Sequence, residues 1–309
     1  MHQCWSFLYI GIKMTLLSLI AIYLLLVLKP LFFQQISAHR MTVDLSYKMD
    51  AKIMKWITAR PYELRILSRE KKTGNQTIRI QSDEIFMATH TGTHMDAPNH
   101  FGGKDKWSIA DIPLENLLER PLVIIDVVGQ SQSERDYQTN VNDFKEWEQK
   151  NGPIEQGSIV IIRTGWSRFW PNKLDYFGTD TTDDTLTHFP GLHPLAAQWL
   201  VDKKIVGVGI DGPSIDCGQC NDYRSHVILN ENNIYILENL DQTVFDLNPV
   251  GATLTVLPMR LADSSGCPVR PIAQYLHDHQ SMNDGHTIKL SSSIIIMMIT
   301  LIISTLLFS

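Results

Sequence analysis

Cysteine is scarce in this sequence, with four among 309 residues. "CGQC" at 217–220 has no second CxxC to complete a zinc knuckle, and its surroundings are not thioredoxin-like. No GxSxG occurs, which argues against a serine hydrolase working through a covalent acyl-enzyme. No stripe of lysine and arginine is visible, and a formal charge of −6 argues against a nucleic-acid partner. Short clusters such as "REKK" (69–72) read as solvated loop. There is no internal repeat and no low-complexity linker, so residues 39–283 read as one domain. At 44% hydrophobic and 19% charged, the chain is globular in composition and long enough for a large core.

Both ends carry long apolar runs. "TLLSLIAIYLLLVL" (15–28) spans about 21 Å as a helix, short of the roughly 30 Å hydrocarbon core. That length suits a signal peptide cleaved after Ala38; an uncleaved signal anchor is the alternative for residues 1–38. The tail "IIIMMITLIISTLLF" (294–308) follows small residues Asn283-Asp284-Gly285 and a mostly polar spacer. Residues 284–309 therefore read as a glycolipid (GPI) anchor signal, with a simple tail anchor as the alternative. The two ends agree on the secretory pathway and on an extracellular or membrane-attached surface location. The sequon Asn75-Gln76-Thr77 is compatible with that route. Cys4 departs with a cleaved leader. The remaining Cys217, Cys220 and Cys267 imply one disulfide and one free thiol in an oxidising compartment.

The interior alternates between strand-like and helix-like segments. Strand-like runs at 122–128, 158–164, 205–211, 233–240 and 252–258 are bounded by Gly, Pro, Asn or Asp. Helical patterns fall at 141–152 and 193–204, the second with Pro194 in its first turn and lysines at its end. Strands this apolar imply cover on both faces, hence a layered α/β core.

His90, His94, Asp96 and His100 crowd into eleven residues at even spacing. In an extended chain they project to one side, and Gly92 and Pro98 speak against a helix, so they belong on a strand end running into a loop. Neutral imidazoles beside a carboxylate are ligands of a borderline metal, zinc or manganese. Without a metal the cluster leaves polar groups unpaired or mutually repelled.

"HTGTHMDAPNHF" (90–101) resembles the HxGTHxDxPxHF signature of the cyclase family, metal-dependent amide hydrolases that include kynurenine formamidases and isatin hydrolases. The resemblance extends to "DLSYKMD" (44–50), "GVGIDGPSID" (207–216), "SHVILNENNIYILENL" (225–240) and "LPMRLADSSGCPVRPIA" (257–273). The secretory-looking ends resemble animal members more than bacterial ones.

The resemblance implies a cyclase-type swivelling β/β/α fold: a layered, mixed and barrel-like sheet flanked by helices. It implies one or two divalent ions, with His90 and His94 on one metal, Asp96 bridging, and His226 and Glu238 completing the second. His100 becomes the general acid/base. Trp56 faces the substrate ring, although Ile57 stands where formamidases often have proline and core burial of Trp56 is the alternative. It also implies a small-molecule amide substrate and a homodimer.

The residues themselves agree. Glu238 closes an apolar strand and needs a partner. Asp211 and Asp216 support turns around the site, whereas His188 and His193 read as loop and helix-start residues. A metal ion lowers the pKa of water to near neutrality, and His100, outside the metal shell, takes one proton and returns one to the departing nitrogen. The leading substrate is an arylformamide such as N-formylkynurenine, with a cyclic amide of the isatin kind as runner-up. A non-catalytic, surface-tethered metal-binding protein is the alternative of a different class.

Overall fold

A computed structural model describes residues 39–277. The leader (1–38, with Cys4) and the tail (284–309) lie outside the described residues. Thirteen strands are described: β1 (His39–Asp44), β2 (Glu63–Thr73), β3 (Gln76–Phe86), β4 (His94–Asp96), β5 (Arg120–Asp126), β6 (Gln138–Thr139), β7 (Ile159–Arg163), β8 (Gly191–Leu192), β9 (Gly207–Ile210), β10 (Tyr235–Glu238), β11 (Ala252–Thr255), β12 (Gly266–Pro268) and β13 (Ile272–His277). The α-helices are α1 (Asn99–Gly102), α2 (Val128–Ser133), α3 (Val141–Asn151), α4 (Lys173–Phe177), α5 (Pro194–Asp202) and α6 (Arg224–Glu231). None of these is long and apolar enough to cross a membrane.

Nine strands form one mixed sheet in the order β1-β13-β11-β5-β7-β9-β10-β4-β12. The centre, β5 to β10, is parallel, and antiparallel strands flank it on both sides. This is the layered mixed α/β architecture that the alternation of apolar runs and helical patterns calls for. Period-two alternation sorts the core into two layers. Leu122, Ile124, Ile159 and Ile161 join one apolar cluster, while Val123, Ile125, Val160 and Ile162 join another on the opposite face. Phe144 and Trp147 of α3, Leu200 of α5 and Leu229 of α6 cover that second face. Ile159, Ile161 and Ile162 are fully buried, so truncating any one to alanine costs about 2–5 kcal/mol.

Local signals explain most element ends. Asn140 caps α3 by accepting from the Asn142 amide. His193 caps α5 by accepting from the Leu195 amide, with Pro194 in the first turn. The run expected at 122–128 stops at Asp126, because Val128 already begins α2.

β2 and β3, eleven residues each, form a separate hairpin turned at Gly74, whose φ is +60°. Every residue of β2 is exposed. The hairpin presents Leu64, Ile66, Leu67, Ile78 and Ile85 to solvent and carries the sequon Asn75 at its tip. Cys217 and Cys220 form a disulfide, and Cys267 is a buried free thiol on β12.

Candidate metal centre

β4 is three residues long and runs antiparallel to both of its neighbours, β10 and β12. The register sets Glu238 of β10 directly opposite His94, and Gly266 of β12 opposite Asp96. Opposed residues in such a ladder have Cβ atoms about 4.5–5.5 Å apart, so pairing alone brings a distant glutamate onto the histidine motif. Gly266 is required by space. A Cβ there would lie 2.5 Å from Cε1 of His90.

The extended reading of residues 90–100 holds only as far as Ala97. Pro98 lacks an N–H that a helix start does not need, so it opens α1 instead of preventing a helix. The Gly102 amide donates to the Pro98 carbonyl at 3.0 Å. This turn folds His100 back over His90, and the two rings stack with centroids 4.2 Å apart.

His226 enters from the first turn of α6. Its Nδ1–H donates to Oδ2 of Asp216 at 2.7 Å, and Asp216 also accepts from the backbone amides of Ser225 and His226. His94 is pinned in the same way, with Nδ1–H donating to the Gly92 carbonyl at 2.9 Å. Both imidazoles therefore turn Nε2 inward. His94 Nε2 lies 3.1 Å from Asp96 Oδ1 and 3.5 Å from Glu238 Oε2. His226 Nε2 lies 3.4 Å from Asp96 Oδ2 and 3.2 Å from Glu238 Oε1. His90 turns Nδ1 toward Asp96 Oδ1 at 2.6 Å and Nε2 toward Ser265 Oγ at 3.0 Å. Each carboxylate thus splits its two oxygens between different imidazoles.

Charge follows from this packing. Burial opposes ionisation of Asp96, but the His94 charge and hydrogen bonds from His226, His90 and His94 hold its pKa well below the usual value. Burial likewise opposes charge on His94, yet Asp96 and Glu238 raise it to about 9. His226 is raised well above its ordinary value despite burial, chiefly by its hydrogen bonds to Asp216, Asp96 and Glu238. His100 behaves oppositely. Burial pushes it down to about 4, with His90, His226 and His94 reinforcing that against Asp96. The cluster demands positive charge at its centre and leaves His100 neutral beside it.

These donors suit a divalent cation. Ligand atoms of His94, Asp96 and Glu238 lie within 4.8 Å of one another, as do those of His90, Asp96 and His100. Hydrogen bonds to the outer nitrogens of His94 and His226 are the support that metal-binding imidazoles require.

Every residue singled out from the sequence for this site lines one cavity of about 290 Å³, Trp56 included. The Trp56 ring is half-buried and meets Phe177 edge-on at 6.0 Å. Of the two aspartates expected at nearby turns, Asp216 holds His226 directly. Asp211 instead accepts from the amide and hydroxyl of Thr164, and burial raises its pKa. His188 pairs with Asp136, and His193 caps α5, both apart from the cluster. Sequence reasoning missed Ser265 and Lys55, and gave Asn239 no role. Asn239 has φ +55° and donates to the same Gly92 carbonyl that holds His94. Only its place next to Glu238 hinted at it.

The sequence profile of the Cyclase family matches residues 43–217, a span that contains His90 through Asp216 but stops before His226 and Glu238. An isatin hydrolase of Roseibium aggregatum is 31% identical over 198 residues, covering 61% of this chain and 73% of the relative. A kynurenine formamidase of Bacillus cereus is 28% identical over 231 residues, covering 74% and 95%. The solved isatin hydrolase A from Labrenzia aggregata, bound to benzyl benzoate, superposes with a TM-score of 0.69 at 26% identity, covering 81% of this chain and 99% of that one. Motif, fold and relatives agree, and the chain belongs to the Cyclase family.

Proposed function

We propose that this protein is a metal-dependent hydrolase of carbon–nitrogen amide bonds, with arylformamides of the N-formylkynurenine type as leading substrates. The observation that carries the reading is the inward convergence of His94 Nε2 and His226 Nε2 on the split carboxylates of Asp96 and Glu238. His90, His94 and Asp96 would hold one divalent cation, zinc or manganese. Asp96, His226 and Glu238 would hold a second where two are bound. When bound, such a cation supplies Lewis acidity, making water a better nucleophile and polarising the amide carbonyl.

The remaining steps belong to the chain. The His100 ring is neutral and makes no hydrogen bond among the described residues, so it can take a proton from the attacking water. It then returns a proton to the departing nitrogen, which an amide needs because its anion is a poor leaving group. Trp56 offers its ring to an aromatic substrate. The similarity to isatin hydrolases supports a second reading, ring-opening of a cyclic amide, with the same groups in the same roles.

We also propose that residues 39–283 are the catalytic domain of a secreted or surface-tethered homodimer. The apolar ends support a leader and a glycolipid anchor signal, and the disulfide and exposed sequon suit that route. The apolar side chains exposed on the β2–β3 hairpin support self-association.

Metal analysis of the purified protein, joined to hydrolysis assays on an amide panel, tests the enzyme reading. His100→Ala should keep the metal and lose about 10²- to 10⁴-fold in rate. Wild-type protein that binds metal yet turns over no amide would leave a metal-binding protein in its place.

A further inference from the structure

Asp96 and Glu238 face the imidazoles of the cluster, and among the described residues that line the cavity Lys55 is the one lysine, with no arginine. Lys55 lines the same cavity as the metal centre and directly precedes Trp56. Its backbone is fixed to the motif, since Lys55 bridges antiparallel to Thr91 and the Gly92 amide donates to the Met54 carbonyl at 2.8 Å. The ammonium forms no ion pair among the described residues, and its one hydrogen bond runs to the Trp56 carbonyl at 3.4 Å. The side chain is partly buried, and burial together with the nearby charge of Lys173 lowers its pKa. A partly buried cation with only a weak acceptor is a poor structural element and a good counter-ion for a ligand.

The surrounding wall sets the ligand's shape. Phe177 meets Trp56 edge-on, and Phe101 and Tyr223 line the cavity as well. A cavity of about 290 Å³ lies at the small end of ligand pockets and suits one aromatic ring with short substituents.

We propose that Lys55 is a specificity-determining residue that pairs with a carboxylate borne by the substrate, so that the preferred substrates are aromatic amides carrying an anionic group away from the scissile bond. This rests on the amide-hydrolase reading and sharpens it, because it favours acidic arylformamides over neutral cyclic amides.

The test compares 4-(2-formamidophenyl)-4-oxobutanoate with its neutral methyl ester, using metal-loaded wild type, Lys55→Met and Lys55→Arg. Loss of one charge-assisted contact should lower the ratio of kcat/KM for acid over ester by about 10- to 100-fold in Lys55→Met. Lys55→Arg should restore most of it. An unchanged ratio, or a loss shared equally by both substrates, would overturn the proposal.

A binding arm keeps the two readings apart. Calorimetric affinity of 4-(2-aminophenyl)-4-oxobutanoate, against that of its methyl ester, reports on Lys55 without turnover. If no amide is hydrolysed but the acid loses affinity in Lys55→Met, the hydrolase reading fails and the anion site stands. If the acid binds wild type and Lys55→Met alike, the carboxylate is held elsewhere and Lys55 has no such role.

Discussion

Asp216 and His226 form one unit: a single carboxylate receives both the backbone amide and the ring Nδ1–H of His226, at 3.0 and 2.7 Å. The bond to Nδ1 decides which nitrogen of His226 faces Asp96 and Glu238.

Asp216→Asn should therefore weaken divalent-metal affinity by about 10- to 100-fold without unfolding the protein, because the carboxamide loses the charge and offers one accepting oxygen where three N–H donors use two. Titration calorimetry on chelator-stripped protein measures it. An affinity equal to that of wild type would show that His226 is oriented without Asp216.

The pH response of the metal-free protein has a definite sign. His94 is raised from about 6.5 in the unfolded chain to about 9 in the fold. A raised histidine contributes stability that is complete below the unfolded value and is lost as pH climbs through the folded one. The Tm of chelator-treated protein should accordingly fall between pH 6.5 and 9. Metal affinity should rise across the same window, since a ligating imidazole must give up its proton. Thermal scans with and without metal would contradict this if both forms kept a constant Tm from pH 6.5 to 9.

Gly266→Ala places a methyl group where the ring of His90 lies. The ring must move, breaking its contacts with Asp96 and Ser265. The variant should keep its far-ultraviolet circular dichroism and lose metal occupancy and activity together. Normal metal content in this variant would remove His90 from the proposed ligands.

The Cys217–Cys220 bridge closes the turn that follows Asp216. For so short a loop, the chain-entropy treatment gives a stabilisation of about 2 kcal/mol. Double serine substitution should lower urea-unfolding stability by that order, and a phosphine reductant should reproduce the loss in wild type. Equal stability with the bridge open would mean that the turn is held by its hydrogen bonds alone.

The sequence disclosed the parts of the site that lie close together or end a patterned element. His90, His94 and Asp96 were visible because ligand-type residues seldom crowd so tightly, whereas His226 and Glu238 came from the family resemblance, with which an acid closing an apolar strand agrees. The buried central strands were equally plain from unbroken isoleucine and valine runs. Pro98 misled, because a residue that breaks a helix interior is at home at a helix start, and the turn it opens decides where His100 points. Ser265 and Lys55 gave no signal. Ser265 reaches the His90 ring and Lys55 reaches the cavity through long-range pairing, β12 against β4 and Lys55 against Thr91, and single-chain patterns do not encode such register. The expectation of a solvated loop at "REKK" (69–72) is corrected: these residues lie within β2, solvated as expected but extended, because pairing with β3 and not burial of an apolar face holds them.

β4 lies one place in from the rim of the nine-stranded sheet, with only the three-residue β12 outside it. An ion gripped by His94, Asp96 and Glu238 would act as a rivet through that margin, clamping β4 to β10 by more than their short ladder. At one hundred times its dissociation constant, such an ion adds about 2.7 kcal/mol to the folded state. Starvation for the metal would then do more than silence the enzyme. It would loosen the hem of the sheet to proteases, and the amount of intact protein would track the supply of the metal.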